Sequence, residues 1–150
     1  YGEEIALSDL RGKVQIVTMV YTWCEYACPR ILADMKRIER LLTPEERLRS
    51  NFVLVSIDPE RDTPGRLAEF AEQNNLDPAN WTLLNGKSGD ILELAALLGV
   101  RYRRISETDF AHSNMIIVLN QEGEIVHQRV RIGEDPGQTV QEIRRLISSR

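Results

Sequence analysis

The sequence lacks several features that would assign it to a broad functional class. No apolar run approaches the roughly 20 residues that a transmembrane helix needs, and no basic amphipathic stretch indicates binding at a membrane surface. A basic excess is also missing, because the net charge is -4, whereas nucleic-acid binding usually calls for a basic face. The opening YGEEIALSDLRGK is not a signal peptide. Because residue 1 is tyrosine and not an initiator methionine, we expect that the sequence is trimmed and that any upstream export signal or membrane anchor is missing from it.

The overall composition is ordinary for a folded domain. With 150 residues, 42% of them hydrophobic and 28% charged, the chain is long enough to bury a core without disulfide bonds. It contains no internal repeat, low-complexity tract or convincing linker. We therefore expect residues 1–150 to form a single domain.

Strand patterns occur in four segments distributed along the chain. Nearly continuous apolar runs rich in β-branched residues predict buried strands at residues 12–22 and 51–58. WTLLNG, residues 81–86, is a short apolar segment that fits a strand or a turn. Residues 111–130 predict two strands joined by a tight turn at Asn120–Gly123.

Helical patterns lie between and after these strands. Apolar residues recur at helical spacing in residues 29–42, where the buried face is predicted to contain Ile31, Leu32, Met35, Ile38, Leu41 and Leu42. Thr63 and Pro64 predict the start of the next helix. A third helix is predicted from Ser88 to a stop at Gly99, and a fourth in PGQTVQEIRRLISS, with Val140, Ile143, Leu146 and Ile147 on one face.

The order of these elements predicts an α/β fold. A central, mostly parallel sheet with an antiparallel terminal hairpin and helices on both faces accounts for the alternation. In such sheets, ligands and chemistry collect at the carboxyl ends of the strands.

Both cysteines of the chain, Cys24 and Cys28, lie where the first strand gives way to the first helix. Their spacing of four puts two side chains on one helical face, about 5–6 Å apart at Cβ. They could close a disulfide or hold one ion, and a helix amino end favours the thiolate that both roles need. Burial as packing residues is the third possibility. At a strand-to-helix turn with Pro29 following, we favour a functional role over packing.

His112 is the third candidate, just before the strand that begins near Asn114. In a thioredoxin-like arrangement, the loop entering this strand lies against the cysteine-bearing turn. Two thiolates and one imidazole suit Cu(I), and Cu(II) with an added oxygen ligand. Zinc is less favoured, because a structural zinc site normally has four protein ligands and this set offers three. His127 lies within the hairpin and is predicted to be a strand-face residue.

Three motifs make the sequence similar to the Sco/SenC family of thioredoxin-like copper proteins. They are YTWCEYACP, VSIDPERDTP and the histidine of AHSNMIIVLN. In order, they match the family's Cys-x-x-x-Cys-Pro, its Ser-x-Asp-Pro-x-Arg-Asp-Thr and its single histidine before a late hairpin. With the opening SDLRGKVQIV, the resemblance covers almost the whole chain.

The resemblance implies a function and a ligand set. It makes Cys24, Cys28 and His112 the copper ligands of an assembly factor for the Cu(A) centre of cytochrome c oxidase. It matches Asp58 to an acid near the site, to which we assign a tuning role outside the ligand shell. The implied partner is the oxidase subunit that carries Cu(A), or another copper or thiol protein. The implied location is the bacterial periplasm, with a tether to the inner membrane.

The other residues of the second motif and of the cysteine loop have separate predicted roles. Arg61, Asp62 and Thr63 are expected to fix their loop and cap the following helix. Glu25 stands where many family members have proline, and its carboxylate favours a bound cation and opposes an uncompensated thiolate. Tyr21 and Trp23 either pack or dock a partner.

A second function remains open beside copper binding. The protein would then be a thiol–disulfide oxidoreductase that reduces the cysteines of a partner without a metal. Cys24 would attack as the nucleophile and Cys28 would resolve the mixed disulfide.

Overall fold

A computed structural model describes residues 12–23, 27–104, 110–112 and 114–148, with residues 27, 28, 104 and 110–112 described by their backbone alone. Along this part of the chain, strands and helices alternate. They are β1 (Val14–Val20), α1 (Ala27–Leu41), α2 (Pro44–Leu48), β2 (Ser50–Ser56), α3 (Pro64–Gln73), β3 (Trp81–Leu84), α4 (Ser88–Leu98), β4 (Tyr102–Arg104), β5 (Phe110–His112), β6 (Ile116–Leu119), β7 (Ile125–Arg129) and α5 (Gly137–Ser148).

The main sheet has the strand order β3-β2-β1-β6-β7. Strands β1, β2 and β3 are parallel, while β6 runs antiparallel to β1, and β7 runs antiparallel to β6. Four strands thus run in one direction and β6 in the other, which confirms the predicted mostly parallel sheet with an antiparallel terminal hairpin. Gly123, with φ +87°, occupies the turn between β6 and β7, where a left-handed backbone favours glycine.

The sheet is covered by helices on both faces, which explains the apolar character of β1. All seven residues of β1 are buried. On one face, Trp81 stacks on Phe52 with ring centroids 4.9 Å apart and donates a 2.8 Å hydrogen bond to Glu39 of α1. On the other face, α4 and the strands line a cavity of about 460 Å³ that includes Val17 and Leu98.

The predicted helices form with small differences at their ends. Helix α1 begins at Ala27, two residues before the predicted start. Its predicted apolar face is buried except for Leu41, which is 47% exposed because it lies at the edge of the stripe in the last turn. Thr63 accepts a hydrogen bond from the backbone N–H of Arg66 and caps α3, as predicted. Gly99 ends α4 in the left-handed conformation with φ +79°.

Two features were not predicted. Helix α2 starts with a capping box, in which Thr43 and Glu46 exchange side-chain and backbone hydrogen bonds. Strands β4 and β5 form a separate two-stranded antiparallel sheet. Among the described residues, no helix has both the length and the apolar character to cross a membrane.

Candidate functional site

The backbone places Cys28 and His112 near the carboxyl end of β1. Cys28 is the second residue of α1, which follows that strand. His112 ends β5, and just beyond it the Thr18 hydroxyl donates a 2.7 Å hydrogen bond to the carbonyl of Met115. Cys24 lies outside the described residues, and the side chains of Cys28 and His112 are not described. The predicted ligand set therefore stays a prediction.

His112 differs from the prediction in its local structure. It lies within β5, paired with Tyr102 of β4, and not in a loop. The strand that follows, β6, begins at Ile116. A three-residue strand is too short for its hydrophobic pattern to be recognised, and its partner strand was not predicted either.

The chain just before Cys24 is held by Asp62. This fully buried carboxylate accepts a 3.0 Å hydrogen bond from the Thr22 N–H and a 2.5 Å hydrogen bond from the Thr22 hydroxyl. The Ser56 hydroxyl at the end of β2 donates a third, 2.7 Å hydrogen bond to it. Asp62 was predicted to fix its own loop, and the structure shows that it also fixes the loop between β1 and α1. Hydrogen bonds to a charged acceptor are the stronger kind, so this connection is stiff.

Arg66 of α3 also holds this loop. Its Nε donates a 2.9 Å hydrogen bond to the Thr22 hydroxyl, and its Nη2 donates to the Thr22 carbonyl at 3.4 Å. The guanidinium carbon lies 4.3 Å from the ring centroid of Trp23. Trp23 is 50% exposed, whereas Tyr21 is only 4% exposed and packs in the core. The two aromatic residues beside the first cysteine therefore have different environments.

Asp58 lies at the same end of the sheet, two residues past the end of β2. It is fully buried and forms an ion pair with Arg61. Its N–H donates a 3.0 Å hydrogen bond to the Ser56 hydroxyl, which in turn donates to Asp62. The Asp62 N–H donates a 2.9 Å hydrogen bond to the carbonyl of Asp58 and closes the turn. Arg61 thus helps to fix this loop, as predicted, and its charge offsets that of Asp58.

His127 occupies a different part of the sheet. It pairs with Val118 in the middle of the hairpin, and its Nε2 lies 2.9 Å from the hydroxyl of Thr139 in α5. Burial lowers the pKa of His127, Glu142 acts to raise that pKa, and Arg129 acts to lower it further. A neutral imidazole that bonds a helix residue fits the predicted strand-face role.

A buried ion pair near this end of the sheet was not predicted from the sequence. Asp34 of α1 accepts two hydrogen bonds from Arg129 of β7, from Nε at 2.6 Å and from Nη2 at 2.9 Å. Arg129 also donates to the carbonyls of Glu134 and Asp135, and Asp34 accepts from the N–H of Gly133. An available signal was the position of Asp34, which falls on the apolar face of α1.

Comparison with known proteins identifies the family. The family model described as SCO1/SenC matches residues 1–148. This chain belongs to the SCO1/SenC family. The predicted family is thereby confirmed.

Relatives within the family are distant but cover most of the chain. The SCO1 protein homolog of Bacillus subtilis (strain 168) is 27% identical over 128 residues, which are 83% of this chain and 66% of that protein. A Stutzerimonas stutzeri protein named "Putative copper-binding protein" is 28% identical over 82% of this chain and 61% of its own length. The chain thus spans less than two thirds of the length of these two relatives.

A solved structure in the SCO1/SenC family has the same fold. The crystal structure of a SCO1/SenC family lipoprotein from Bacillus anthracis str. Ames superposes with a TM-score of 0.83 at 27% identity, covering 93% of this chain and 84% of that one. The predicted thioredoxin-like α/β fold is confirmed.

Proposed function

We propose that this protein is a copper-binding metallochaperone that serves the assembly of the Cu(A) centre of cytochrome c oxidase. The observation that carries the proposal is membership of the SCO1/SenC family over residues 1–148. The Stutzerimonas stutzeri relative, whose name refers to copper binding, supports copper as the metal. Copper is the cargo in this role, bound from a donor and passed to a recipient.

The proposed ligands are the thiolates of Cys24 and Cys28 and the imidazole of His112. Two soft sulfur donors and one nitrogen suit Cu(I), and an added oxygen ligand would accommodate Cu(II). Cys28 lies in the first turn of α1, where the positive end of the helix dipole stabilises an anionic sulfur. Transfer would proceed by ligand exchange, in which thiolates of the recipient replace the ligands of this protein one at a time.

Asp58 is proposed to tune this site without binding the metal. Its buried carboxylate is engaged by Arg61, and its backbone N–H contacts the hydroxyl that also bonds Asp62. Groups of this kind orient ligand-bearing segments and set the local charge. Because the negative charge of Asp58 is paired with the positive charge of Arg61, the two residues together would add little net charge near the thiolates.

A copper titration of the reduced protein tests the three-ligand set. We expect the wild type to bind one Cu(I) in competition with a chromophoric Cu(I) chelator. His112→Ala should bind more weakly, because it leaves only two sulfur ligands. His127→Ala is the matched control, since His127 is the other histidine of the chain. Equal stoichiometry and affinity in the wild type and His112→Ala would contradict the role of His112.

The position of Cys28 at a helix start also supports the second function, a thiol–disulfide oxidoreductase. The Cys24 thiolate would attack a disulfide of the partner and form a mixed disulfide. Cys28 would then displace the partner, which leaves with two thiols while Cys24 and Cys28 become a disulfide. In Cys28→Ser the mixed disulfide should accumulate with a disulfide-bonded partner, and Cys24→Ser should trap none. Absence of any trapped species, together with copper binding by the wild type, would favour the chaperone.

We propose that the recipient is the oxidase subunit carrying Cu(A), and that the protein works outside the cytoplasm, tethered to a membrane. Support for the tether comes from the Bacillus anthracis relative, which is a lipoprotein. Cell fractionation with the full-length gene product tests this location. Recovery in the soluble cytoplasmic fraction would contradict it.

A further inference from the structure

Trp23 is unusual among the apolar residues at the surface. The described residues include seven large hydrophobic side chains that are exposed, and Trp23 is the aromatic one among them. They are Trp23, Leu41, Leu48, Leu92, Leu97, Ile125 and Val130. Trp23 also directly precedes Cys24 in the sequence. Exposing half of an indole to water is unfavourable, so a partner that covers Trp23 would gain the free energy of burying this apolar surface.

The exposed indole is held in a fixed position. Arg66 lies 4.3 Å from its ring centroid and bonds the preceding residue, Thr22, through two groups. Thr22 is held in turn by two hydrogen bonds from its N–H and hydroxyl to the buried carboxylate of Asp62. An ordered side chain loses little conformational entropy when a partner covers it, and this increases the affinity of the complex.

Ligand exchange at Cys24 would bring a partner close to Trp23, the preceding residue in the sequence. The incoming sulfur must reach a metal bound to Cys24, and adjacent Cα atoms are only about 3.8 Å apart. The half-exposed indole is therefore within reach of the surface of the partner around that sulfur. Tryptophan and arginine are also the residue types that most often dominate binding energy at interfaces.

We propose that Trp23, supported by Arg66, is the docking residue for the protein that exchanges copper at Cys24. This inference rests on the proposed function and adds the chemistry of the interface. The partner presents an apolar side chain next to its own copper-ligating cysteine, and this side chain packs on the outer face of the indole. Asp62 and Thr22 act only by positioning Trp23.

The test uses the full chain, reduced and loaded with Cu(I). The probe is the metal-free, reduced soluble domain that carries the Cu(A) site in the oxidase of the same organism. Affinity of the complex is measured by calorimetry and copper transfer by stopped-flow absorbance. We expect Trp23→Ala to weaken the complex about tenfold and to slow transfer at limiting partner concentration. Trp23→Phe should retain most of the affinity, because it keeps an aromatic face.

Leu48→Ala is the matched control. Leu48 is a large exposed apolar residue, 71% exposed, that ends α2 just before β2. It therefore lies at the opposite end of the sheet from Trp23, and we expect its replacement to leave affinity and transfer unchanged. An equal loss in Leu48→Ala and Trp23→Ala would overturn the inference.

Copper affinity of each variant separates this inference from the proposed function. A wild type that binds no copper would contradict both. Trp23→Ala that binds copper, docks and transfers like the wild type would overturn the docking role alone. Trp23→Ala that loses copper itself would assign the indole to the metal site and also overturn the docking role. A defect confined to binding of anionic lipid vesicles, with normal transfer, would overturn it in favour of a membrane contact.

Discussion

At the scale of single residues, the side chain of Asp62 joins three parts of the chain. It accepts hydrogen bonds from Thr22 before the cysteine loop and from Ser56 at the end of β2, while its own loop leads into α3. The residue is fully buried, so its charge is stabilised by these donors and not by water. The loop that carries Cys24 therefore starts from a fixed point.

We predict that Asp62→Asn destabilises the fold by about 2–3 kcal/mol, the usual cost of losing hydrogen bonds to a buried charged acceptor. The amide places an NH₂ where a carboxylate oxygen now accepts a hydrogen bond, and it removes the charge from the remaining bonds. Urea unfolding followed by circular dichroism measures the difference in free energy of unfolding.

Asp77→Asn is the control for this variant. The exposed Asp77 accepts one hydrogen bond from the N–H of Ala79, and an asparagine oxygen can accept the same bond. A cost below about 0.5 kcal/mol is expected there. If the Asp62 and Asp77 variants are equally stable, Asp62 does not fix the loop.

At the scale of elements, long periodic segments were predictable and short ones were not. The apolar stripe of α1 and the uniformly apolar β1 span enough residues for their period to identify them. Strands β4 and β5 have three residues each, and their pairing depends on tertiary contacts. Helix α2 was missed although Thr43 and Glu46 carry a capping-box signal in the sequence.

The candidate site, like the fold, was predictable from the sequence only in part. The residue types and their spacing in the motifs predicted Cys24, Cys28, His112 and Asp58 as site residues. The partners of Asp62 and of Arg66 were not predictable, because each bonds Thr22 about 40 residues away in the sequence. The spacing of residues indicates which chemistry a segment carries, whereas contacts between distant segments can be identified only from the folded structure.

The ion pair between Asp34 and Arg129 joins α1 to β7 and to the loop before α5. We predict that Asp34→Ala costs about 3–5 kcal/mol of stability, because it leaves the buried guanidinium without its counter-charge. Both side chains are almost fully buried, with 1% and 6% exposure. Chemical unfolding monitored by circular dichroism measures the loss.

An exposed ion pair provides the comparison. Glu45 and Arg49 in and beside α2 are 3.5 Å apart with 79% and 52% side-chain exposure, and Glu45→Ala should cost less than about 1 kcal/mol. The double variant Asp34→Leu with Arg129→Met should recover part of the loss, since no unpaired charge remains. A loss below about 1 kcal/mol in Asp34→Ala would show that the pair does not join these elements.

At the scale of the whole molecule, the fold brings together segments that are distant in the sequence. Strand β6 returns antiparallel to β1, so the chain after β5 reaches the end of the sheet from which the cysteine loop leaves. The two cysteines are neighbours in the sequence, so they are available as a pair in the folded and the unfolded chain alike. In the proposed ligand set, His112 would join them only when the sheet is formed.

This difference predicts how copper changes stability. Unfolded chains with two nearby cysteines also bind copper. Binding that is equally strong in the folded and the unfolded state leaves the free energy of unfolding unchanged. In the proposed site, the imidazole of His112 would add affinity in the folded state alone. With free Cu(I) at about 1,000 times the dissociation constant of the site, the gain would be about 4 kcal/mol if the unfolded chain bound no copper, and binding to the unfolded cysteine pair lowers it below that limit. For a domain of this size, that limit corresponds to roughly 10 °C in Tm, so we expect a smaller but measurable shift.

Thermal unfolding of the reduced protein, with and without buffered Cu(I), measures this gain. His112→Ala should still bind copper through the thiols but gain only a small part of the shift in Tm, because its remaining ligands are available in the unfolded chain as well. His127→Ala should keep the full shift, whatever its own Tm. Equal shifts in the wild type and His112→Ala would mean that copper is held by the local cysteine pair alone, without the long-range contact to β5.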